Sequence, residues 1–405
     1  MTHDVDSPAP VDPALAGLPA ADFFAFESLL SAAEQAKLAE LREFLAREVA
    51  PFATQWWNDA EFPAHILPKL AALELSAPAQ RGYSNLFAGL VIAEMTRVDT
   101  SLATFFLVHH DLFVESLYGF GSEEQKARLL QDAANLRTTG AFALTEPDHG
   151  SDVAGGMETT ARRVAGGEAG DYWVLNGAKR WIGNGTFCDY MLVWARDEAD
   201  GGIRGFIVDA TLPGVSRSRI ENKIALRTVQ NADIVFDDVR VAESDRFAGI
   251  NSFEDTNELL RGSRIMVAWQ GVGQQLAAFD VARRYTVERR QFGRPLAKFQ
   301  LVQQQLVTML GNAVASMGMM VRIAQLQDAG AADMPQVALA KSYVSARMRE
   351  TVAMGRSLLG GNGIVTDYAM AKIFADAEAI YTYEGSYEIN TLIVGRAVTG
   401  VSAIV

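Results

Sequence analysis

Glu384 is an acid set among aromatics: Tyr381 and Tyr383 precede it, Tyr387 follows, and Gly385 comes directly after it. Apolar neighbours disfavour the charged form of a carboxyl and raise its pKa, and an acid tuned towards working pH is the better general base. A glycine beside it lets the backbone approach a ligand closely. Taken alone, the segment suits a buried structural glutamate better than a catalytic one, so the rest of the chain must decide.

Other segments could serve a bound cofactor. Phe142–Asp152 leaves a strand and enters a loop of small and hydroxyl residues, whose amides and hydroxyls can cradle a phosphate or the polar edge of a heterocycle. An ordinary β-entry loop with an Asx-type turn reads equally well. Trp181 stands beside a Gly-Asn-Gly turn, where an indole walls a flat cofactor or simply fills a core. Arg289, Arg290 and Arg294 cluster at the end of a long helix. Cations pair well with a helix C-terminus, and Arg also binds phosphate oxygens bidentately. Gly360-Gly361-Asn362-Gly363 follows another helix; one glycine would explain a C-cap, whereas this run suggests that something comes close to the backbone. His109 and His110 read as an ordinary helix pair rather than tunnel lining, His149 as a loop residue, and Met309, Met317, Met319 and Met320 as core filler.

The elements that must position these segments fall into blocks. With 405 residues, 49% of them hydrophobic, the chain can bury a large core and divides into two or three domains. Residues 1–21, rich in Asp, Pro and Ala, are expected to form a flexible tail without the order of a signal peptide. Residues 22–141 read as helical: Ser31 and Glu34 have the form of a capping box before Leu38, Leu41 and Leu45, and Ser122–Gln125 looks like another helix start. Residues 142–248 carry short strand-like runs such as Met191–Trp194, Gly205–Val208 and Ile234–Phe236, predicting a small antiparallel, barrel-like β domain. Asn176-Gly177 predicts a hairpin turn within it. Residues 249–405 return to helix. Ile265, Trp269, Val272, Leu276 and Phe279 alternate steps of four and three, as do Val302, Leu306, Met309, Ala313, Ser316, Met320 and Ile323. With further helices from about Pro335 to Leu359 and from Glu388, they predict a four-helix bundle.

Composition excludes several functions. A formal net charge of −13 argues against nucleic acid as a main partner. Cys188 is the only cysteine, so neither an intramolecular disulfide nor a cysteine metal cluster is available, and no metal site is expected. No run reaches the ~18 uninterrupted apolar residues of a membrane span. The last residues, Val401–Val405, are not a Ser-Lys-Leu-type address. A cytoplasmic enzyme with no membrane insertion is the expectation.

Read together, the segments resemble the acyl-CoA dehydrogenase family. Ala143-Leu-Thr-Glu-Pro-x-x-Gly-Ser-Asp152, Lys179-x-Trp-Ile182, Arg289-x-Gln-Phe-Gly293, Gly360-Gly-Asn-Gly363 and Tyr383-Glu-Gly-Ser386 match its signatures in order across about 27–400. Each is weak alone; in this order and spacing they are specific. Asn222–Asn231, Met266–Gln270 and Ile380–Gly385 are most similar to the glutaryl-CoA dehydrogenase branch and the short-chain acyl-CoA oxidase of plant peroxisomes. The resemblance implies a helical domain, a middle β domain and a C-terminal bundle, with FAD as cofactor and an acyl-CoA thioester as substrate. It implies that Glu384 removes the α-proton while the β-hydride passes to flavin N5, leaving a trans-2-enoyl-CoA. The thioester oxygen would be held by the Glu384 amide and a flavin ribityl hydroxyl. Phe142, Leu144, Thr145, Gly150, Ser151, Trp181 and Gly183 match flavin-contacting positions of the same subunit. Arg289, Gln291, Phe292, Gln300, Gly360 and Gly361 match positions that reach FAD from a neighbouring subunit, implying an obligate oligomer, usually a tetramer. Ser386 and Glu388 lie where the family again touches FAD. Arg264, Tyr383, Gly385 and Ala103 fall at positions near the substrate, and Ser151 matches a position shared with the CoA arm.

Some positions depart from the family pattern. Ser263 stands where some relatives carry the base on another helix, which leaves Glu384 without a rival. Ala103 replaces the Arg with which glutaryl-CoA dehydrogenases pair a distal carboxylate, so a dicarboxylic substrate is disfavoured. Gly183 replaces a Thr whose hydroxyl reaches flavin N5, and could leave room there for oxygen. The resulting expectation is dehydrogenation of a short or branched monocarboxylic acyl-CoA, with electrons passed to an electron-transferring flavoprotein. The alternatives are an oxidase passing them to oxygen and, in another class, a catalytically silent relative that binds nucleic acid or protein. The acidic net charge and the retained Glu384 speak against the last.

Overall fold

The computed structural model describes residues 21–166 and 170–403; the expected tail, apart from Ala21, lies outside them. The N-terminal block is helical: α1 (Ala32–Phe44), α2 (Ala53–Asp59), α3 (Leu67–Ala71), α4 (Asn85–Val98), α5 (Thr100–Leu107), α6 (Glu115–Phe120) and α7 (Glu123–Ala134). Both expected starts are capping boxes, Ser31 with Glu34 and Ser122 with Gln125, each satisfying otherwise orphaned amides. A π-helical turn over Val108–Val114 joins α5 to α6. Such turns insert an extra residue per turn and often mark functional sites. α4 is buried almost all round, because it is clasped between α1 and the C-terminal helices.

The middle block comprises β1 (Gly140–Ala143), the short α8 (Val153–Gly156), β2 (Thr160–Val164), β3 (Tyr172–Ile182), β4 (Tyr190–Asp197), β5 (Ile203–Asp209), β6 (Val215–Arg219) and β7 (Ala232–Ala242). They form one sheet in the order β1-β4-β2-β3-β7-β6, with β5 paired to β4. Most pairings are antiparallel, but β1 and β2 each run parallel to β4, because β1 enters the sheet directly from the helical block. Trp173, Leu175, Phe206, Ile234, Phe236 and Val239 form its own core. Asn176-Gly177 is not a hairpin turn; it is a bulge inside the long strand β3, where the register against β7 shifts. Asn176 and Asp238 exchange hydrogen bonds across this bulge, at 3.0 and 2.8 Å. Gly177, at φ 145°, lies so close to Thr159 that a Cβ would come within 2.6 Å of it.

The C-terminal block contains α9 (Phe253–Glu288), a two-stranded hairpin of β8 (Arg290–Gln291) and β9 (Arg294–Pro295), α10 (Gln300–Asp328), α11 (Met334–Leu358), α12 (Met370–Thr382) and α13 (Tyr387–Thr399). The expected seam on α9 is buried throughout. On α10 the seam is buried from Met309 onward, while Val302 and Leu306 are half-exposed. The helix α12 was not expected from the sequence, although Met370, Ile373, Ala377 and Ile380 repeat the same spacing and are buried. Its insertion before α13 sets the turn that carries Glu384.

Candidate active site

Glu384 lies in the turn between α12 and α13, and both it and Gly385 are left-handed, at φ 56° and 74°. A non-glycine residue held there stores strain that surrounding contacts must maintain, which is characteristic of functional positions. The contacts are visible. Lys341 of α11 is fully buried and donates to the carbonyls of Tyr381 at 3.1 Å and Gly385 at 2.8 Å. Asn390 Nδ2 donates to the Gly385 carbonyl at 2.7 Å and the Ser386 carbonyl at 3.1 Å. A side chain at Gly385 would meet Asn390 Nδ2 at 3.0 Å and Arg264 Nε at 3.3 Å, so both would have to give way, and φ 74° would strain it besides. Ser386 caps α13 by accepting from the Ile389 amide.

The Glu384 carboxylate accepts a 2.5 Å hydrogen bond from Ser263 Oγ on α9. Burial pushes its pKa above the ordinary range, opposed by the Ser263 bond and by the charges of Arg264 and Lys341. Burial likewise pushes Lys341 down to about 7. Arg264 Nε is buried without a hydrogen-bond partner among the described residues, and Nη1 faces the Met334 sulfur at 2.8 Å. Tyr383 is held away from this charge cluster: its hydroxyl donates to Gln270 and lies 3.4 Å from Thr104 Oγ1. Lys341 and Asn390 were missed as parts of the site by sequence reasoning, and Ser263 was read only as a position that cannot supply a base, not as a hydrogen-bond donor to Glu384. Lys341 and Ser263 lie far from Glu384 in sequence, and Asn390, though six residues on, reads as an ordinary position of α13.

The residues expected to face the cofactor gather at one edge of the sheet. The Arg180 amide donates to the Thr145 carbonyl at 2.8 Å, which brings Trp181 beside the exit of β1. Phe142 and Leu144 are buried there, Thr145 is half-buried, and Gly150 and Ser151 are exposed on the loop that follows. Lys179 and Glu146 form a fully buried ion pair at 2.8 Å, and Glu146 also accepts the amides of Glu158 and Thr159. That pair shapes the loop rather than binding a ligand. Trp181 is 52% exposed at φ 65°, with its carbonyl fixed by Asn231 Nδ2. A large indole left in solvent and locked in an uncommon conformation is a platform rather than core filler. Gly183 does not open a void: a Cβ there would approach Val108 Cγ2, on the π-helical turn, to 3.0 Å.

Arg289, Gln291, Phe292 and Gln300 are all exposed, Phe292 at 93%, around the β8–β9 hairpin. Gly360 and Gly361 are exposed too, and a Cβ on either would meet nothing within 4 Å. Glu388 is exposed on α13. Ala103 is fully buried. The cavity behind α5 is lined from further along the chain, by Phe106, His110 and Asp111, together with Leu75, Val91 and Met266. Of the histidines, His109 is a buried strut: it bonds the Ala133 carbonyl at 2.8 Å and accepts from the Gly140 amide at 3.0 Å. His149 pairs with Asp152 at 2.9 Å in the loop.

The three blocks match three family profiles: acyl-CoA dehydrogenase, N-terminal domain, over 31–137; middle domain, over 141–239; and C-terminal domain, over 253–399. The chain is 31% identical over 363 residues to the mitochondrial short-chain specific acyl-CoA dehydrogenase of Mus musculus, covering 87% of each chain. It is 30% identical over 347 residues to a subunit of the caffeyl-CoA reductase-Etf complex of Acetobacterium woodii, covering 83% of this chain and 90% of that one. Among solved structures it is similar to a glutaryl-CoA dehydrogenase from Mycobacterium smegmatis in complex with FADH2. The TM-score is 0.91 at 30% identity, over 95% of this chain and 100% of that one.

Proposed function

Because the chain belongs to the acyl-CoA dehydrogenase family of FAD-dependent oxidoreductases, we propose that it converts a short or branched monocarboxylic acyl-CoA to the trans-2-enoyl-CoA. The observation that carries the reading is Glu384: strained backbone, raised pKa, and a single strong hydrogen bond from Ser263. Glu384 takes the α-proton onto its free carboxylate oxygen. The Glu384 amide donates to the thioester oxygen and stabilises negative charge as the α-carbon is deprotonated. Arg264 and Lys341 oppose the rise that burial imposes on its pKa and so favour the ionised form that acts as base.

The chain's residues fit FAD. Trp181 offers an exposed aromatic face, Thr145 and Ser151 offer hydroxyls, and a Cβ at Gly150 would meet open space, so a ligand can lie against the backbone there. When bound, the flavin supplies the acceptor for the β-hydride. Arg289, Gln291, Phe292 and Gln300 are turned outward and serve the flavin of a neighbouring subunit. The electrons pass on to an electron-transferring flavoprotein, a reading supported by the likeness to a subunit of an Etf complex.

A dicarboxylic substrate does not suit the site. Arg97 is engaged with Asp280 at 2.5 Å and with Glu94, and Arg81 with the Ser76 carbonyl and Glu74, so neither is free to pair a distal carboxylate. An unpaired buried charge costs several kcal/mol. The test is anaerobic titration of the flavin-replete protein with acyl-CoAs of graded length and branching. Butyryl- or isobutyryl-CoA should bleach the flavin, with kcat/KM at least ~10-fold above that of glutaryl-CoA. Absence of bleaching by every saturated acyl-CoA would overturn the reading.

A further inference from the structure

Tyr383 stands directly before the base, and its hydroxyl is the first link of a buried hydrogen-bond chain. The hydroxyl donates to Gln270 Oε1 on α9, and Gln270 Nε2 donates to Thr104 Oγ1 on α5 at 3.0 Å. Thr104 Oγ1 donates in turn to the Thr100 carbonyl at 2.8 Å. Thr100 Oγ1 donates to Gln274 Oε1 at 2.8 Å, and Gln274 Nε2 donates to the Ile373 carbonyl on α12. Gln270 and Gln274 are fully buried, and Thr100 and Thr104 nearly so. Glutamine is mostly a surface residue, and a buried amide costs free energy unless its bonds are made. A leucine of similar size would pack at 270 without that condition, so the amide calls for a role that packing does not fill.

The place of Gln270 on its helix supplies one. Ser263 and Gln270 are seven residues apart, two turns of α9, so they lie on one face roughly 10 Å from each other. Ser263 Oγ holds the Glu384 carboxylate, and Gln270 holds the Tyr383 hydroxyl. Two consecutive residues of the turn are thus gripped by one rigid helix. On the far side, Lys341 and Asn390 hold the Gly385 carbonyl. Glu384 sits between these grips at φ 56°, a conformation that persists only while its surroundings impose it.

We propose that Gln270 is a positioning residue for the base: by anchoring Tyr383 it keeps the strained turn, and the Glu384 carboxylate with it, aimed at the α-proton. The inference rests on the reading of Glu384 as the base. Gln270 acts on the geometry of the base and not on its ionisation. The groups that oppose the effect of burial on Glu384 are Ser263, Arg264 and Lys341, and Gln270 is not among them. Loss of the Gln270 anchor therefore slows proton transfer without moving its pH dependence, whereas loss of the Ser263 hydroxyl moves it.

The test compares flavin-replete wild type, Gln270→Leu, Tyr383→Phe and the double variant by anaerobic stopped flow with butyryl-CoA. Calorimetry with crotonyl-CoA gives binding without turnover. Each single variant removes the anchoring bond, so the rate constant of flavin reduction should fall by about tenfold or more, with FAD content and crotonyl-CoA binding kept within about twofold. The double variant should be no slower than the slower single one, because both changes remove the same bond. The acidic limb of the rate constant should stay at its wild-type pH. A variant that is merely destabilised would lose FAD and bleaching amplitude, while the fraction that still reacts would do so at the wild-type rate constant. That result, slowings that multiply in the double variant, or a displaced acidic limb would each overturn the assignment. Should Gln270→Leu fail to fold, Tyr383→Phe, which lacks only a hydroxyl, decides alone. If butyryl-CoA bleaches wild type and Glu384→Gln is slow while these variants react normally, the proposed function stands and this inference alone falls.

Discussion

At the residue scale, the site is an acid whose pKa is set by opposing influences. Burial raises it, and the Ser263 hydroxyl, Arg264 and Lys341 pull it down. The hydroxyl at the position where some relatives would place a base therefore has a use here: it orients the carboxylate and favours its ionised form. Ser263→Ala removes that hydrogen bond, so the Glu384 pKa should rise. The base must be ionised to act, so the acidic limb of the kcat/KM profile should move to higher pH, with flavin content unchanged. A limb that stays in place in the Ser263→Ala protein would show that the bond does not tune the base. Tyr383, adjacent in sequence, does not share this duty, because Gln270 and Thr104 hold its hydroxyl.

At the element scale, α12 delivers the turn, and a buried charge network fixes α12. Lys372 lies 2.9 Å from Asp99, the N-cap of α5, and 3.5 Å from Asp376. Asp376 in turn accepts from Trp57 Nε1 of α2 at 2.8 Å and from the Leu226 amide at 2.6 Å. All three blocks of the chain thus meet on one helix. Lys372→Met would leave the two carboxylates without their shared cation, and breaking a buried pair in this way costs about 3–5 kcal/mol. Chemical denaturation should show a loss of that order, and a change under 1 kcal/mol would mean that the network is not holding the helix. The elements legible in sequence were those with local signatures: the capping boxes at Ser31 and Ser122, and the four-three seam on α9. The Asn-Gly bulge was misread because the same dipeptide suits a turn or a bulge, and the cross-strand partner Asp238 that decides between them lies far along the chain. Lys341 was illegible as a site residue for a similar reason, and Ser263 was legible only as a position without a base. Each gained its role only once folding placed it beside the turn.

At the scale of the whole molecule, the C-terminal block turns several large apolar side chains outward. Phe292, in the β8–β9 hairpin that follows Arg289, is 93% exposed, and Leu301 and Val307, early on α10, are 72% and 70% exposed. α10 is long and apolar enough by composition to cross a membrane, yet it packs against α9 and α11, so its remaining apolar face suits another subunit. If Arg289 binds the phosphates of a neighbour's FAD, flavin and assembly are linked, because a ligand bound between subunits stabilises their association. Arg289→Ala should therefore lose flavin and dissociate together when absorbance and molar mass are followed on one column. A flavin-replete variant of unchanged mass would contradict that role.

The account turns on Glu384 as the α-proton base, and Glu384→Gln is the direct test, since the amide keeps the shape and the Ser263 contact but cannot accept the proton. Flavin reduction of the variant by its best acyl-CoA substrate is followed anaerobically by stopped flow, with FAD content and substrate binding checked beside it. The account predicts normal flavin content, retained binding, and reduction slowed by at least the ~10²–10⁴ of a lost general base. Reduction within about threefold of wild type would place the base elsewhere and contradict it.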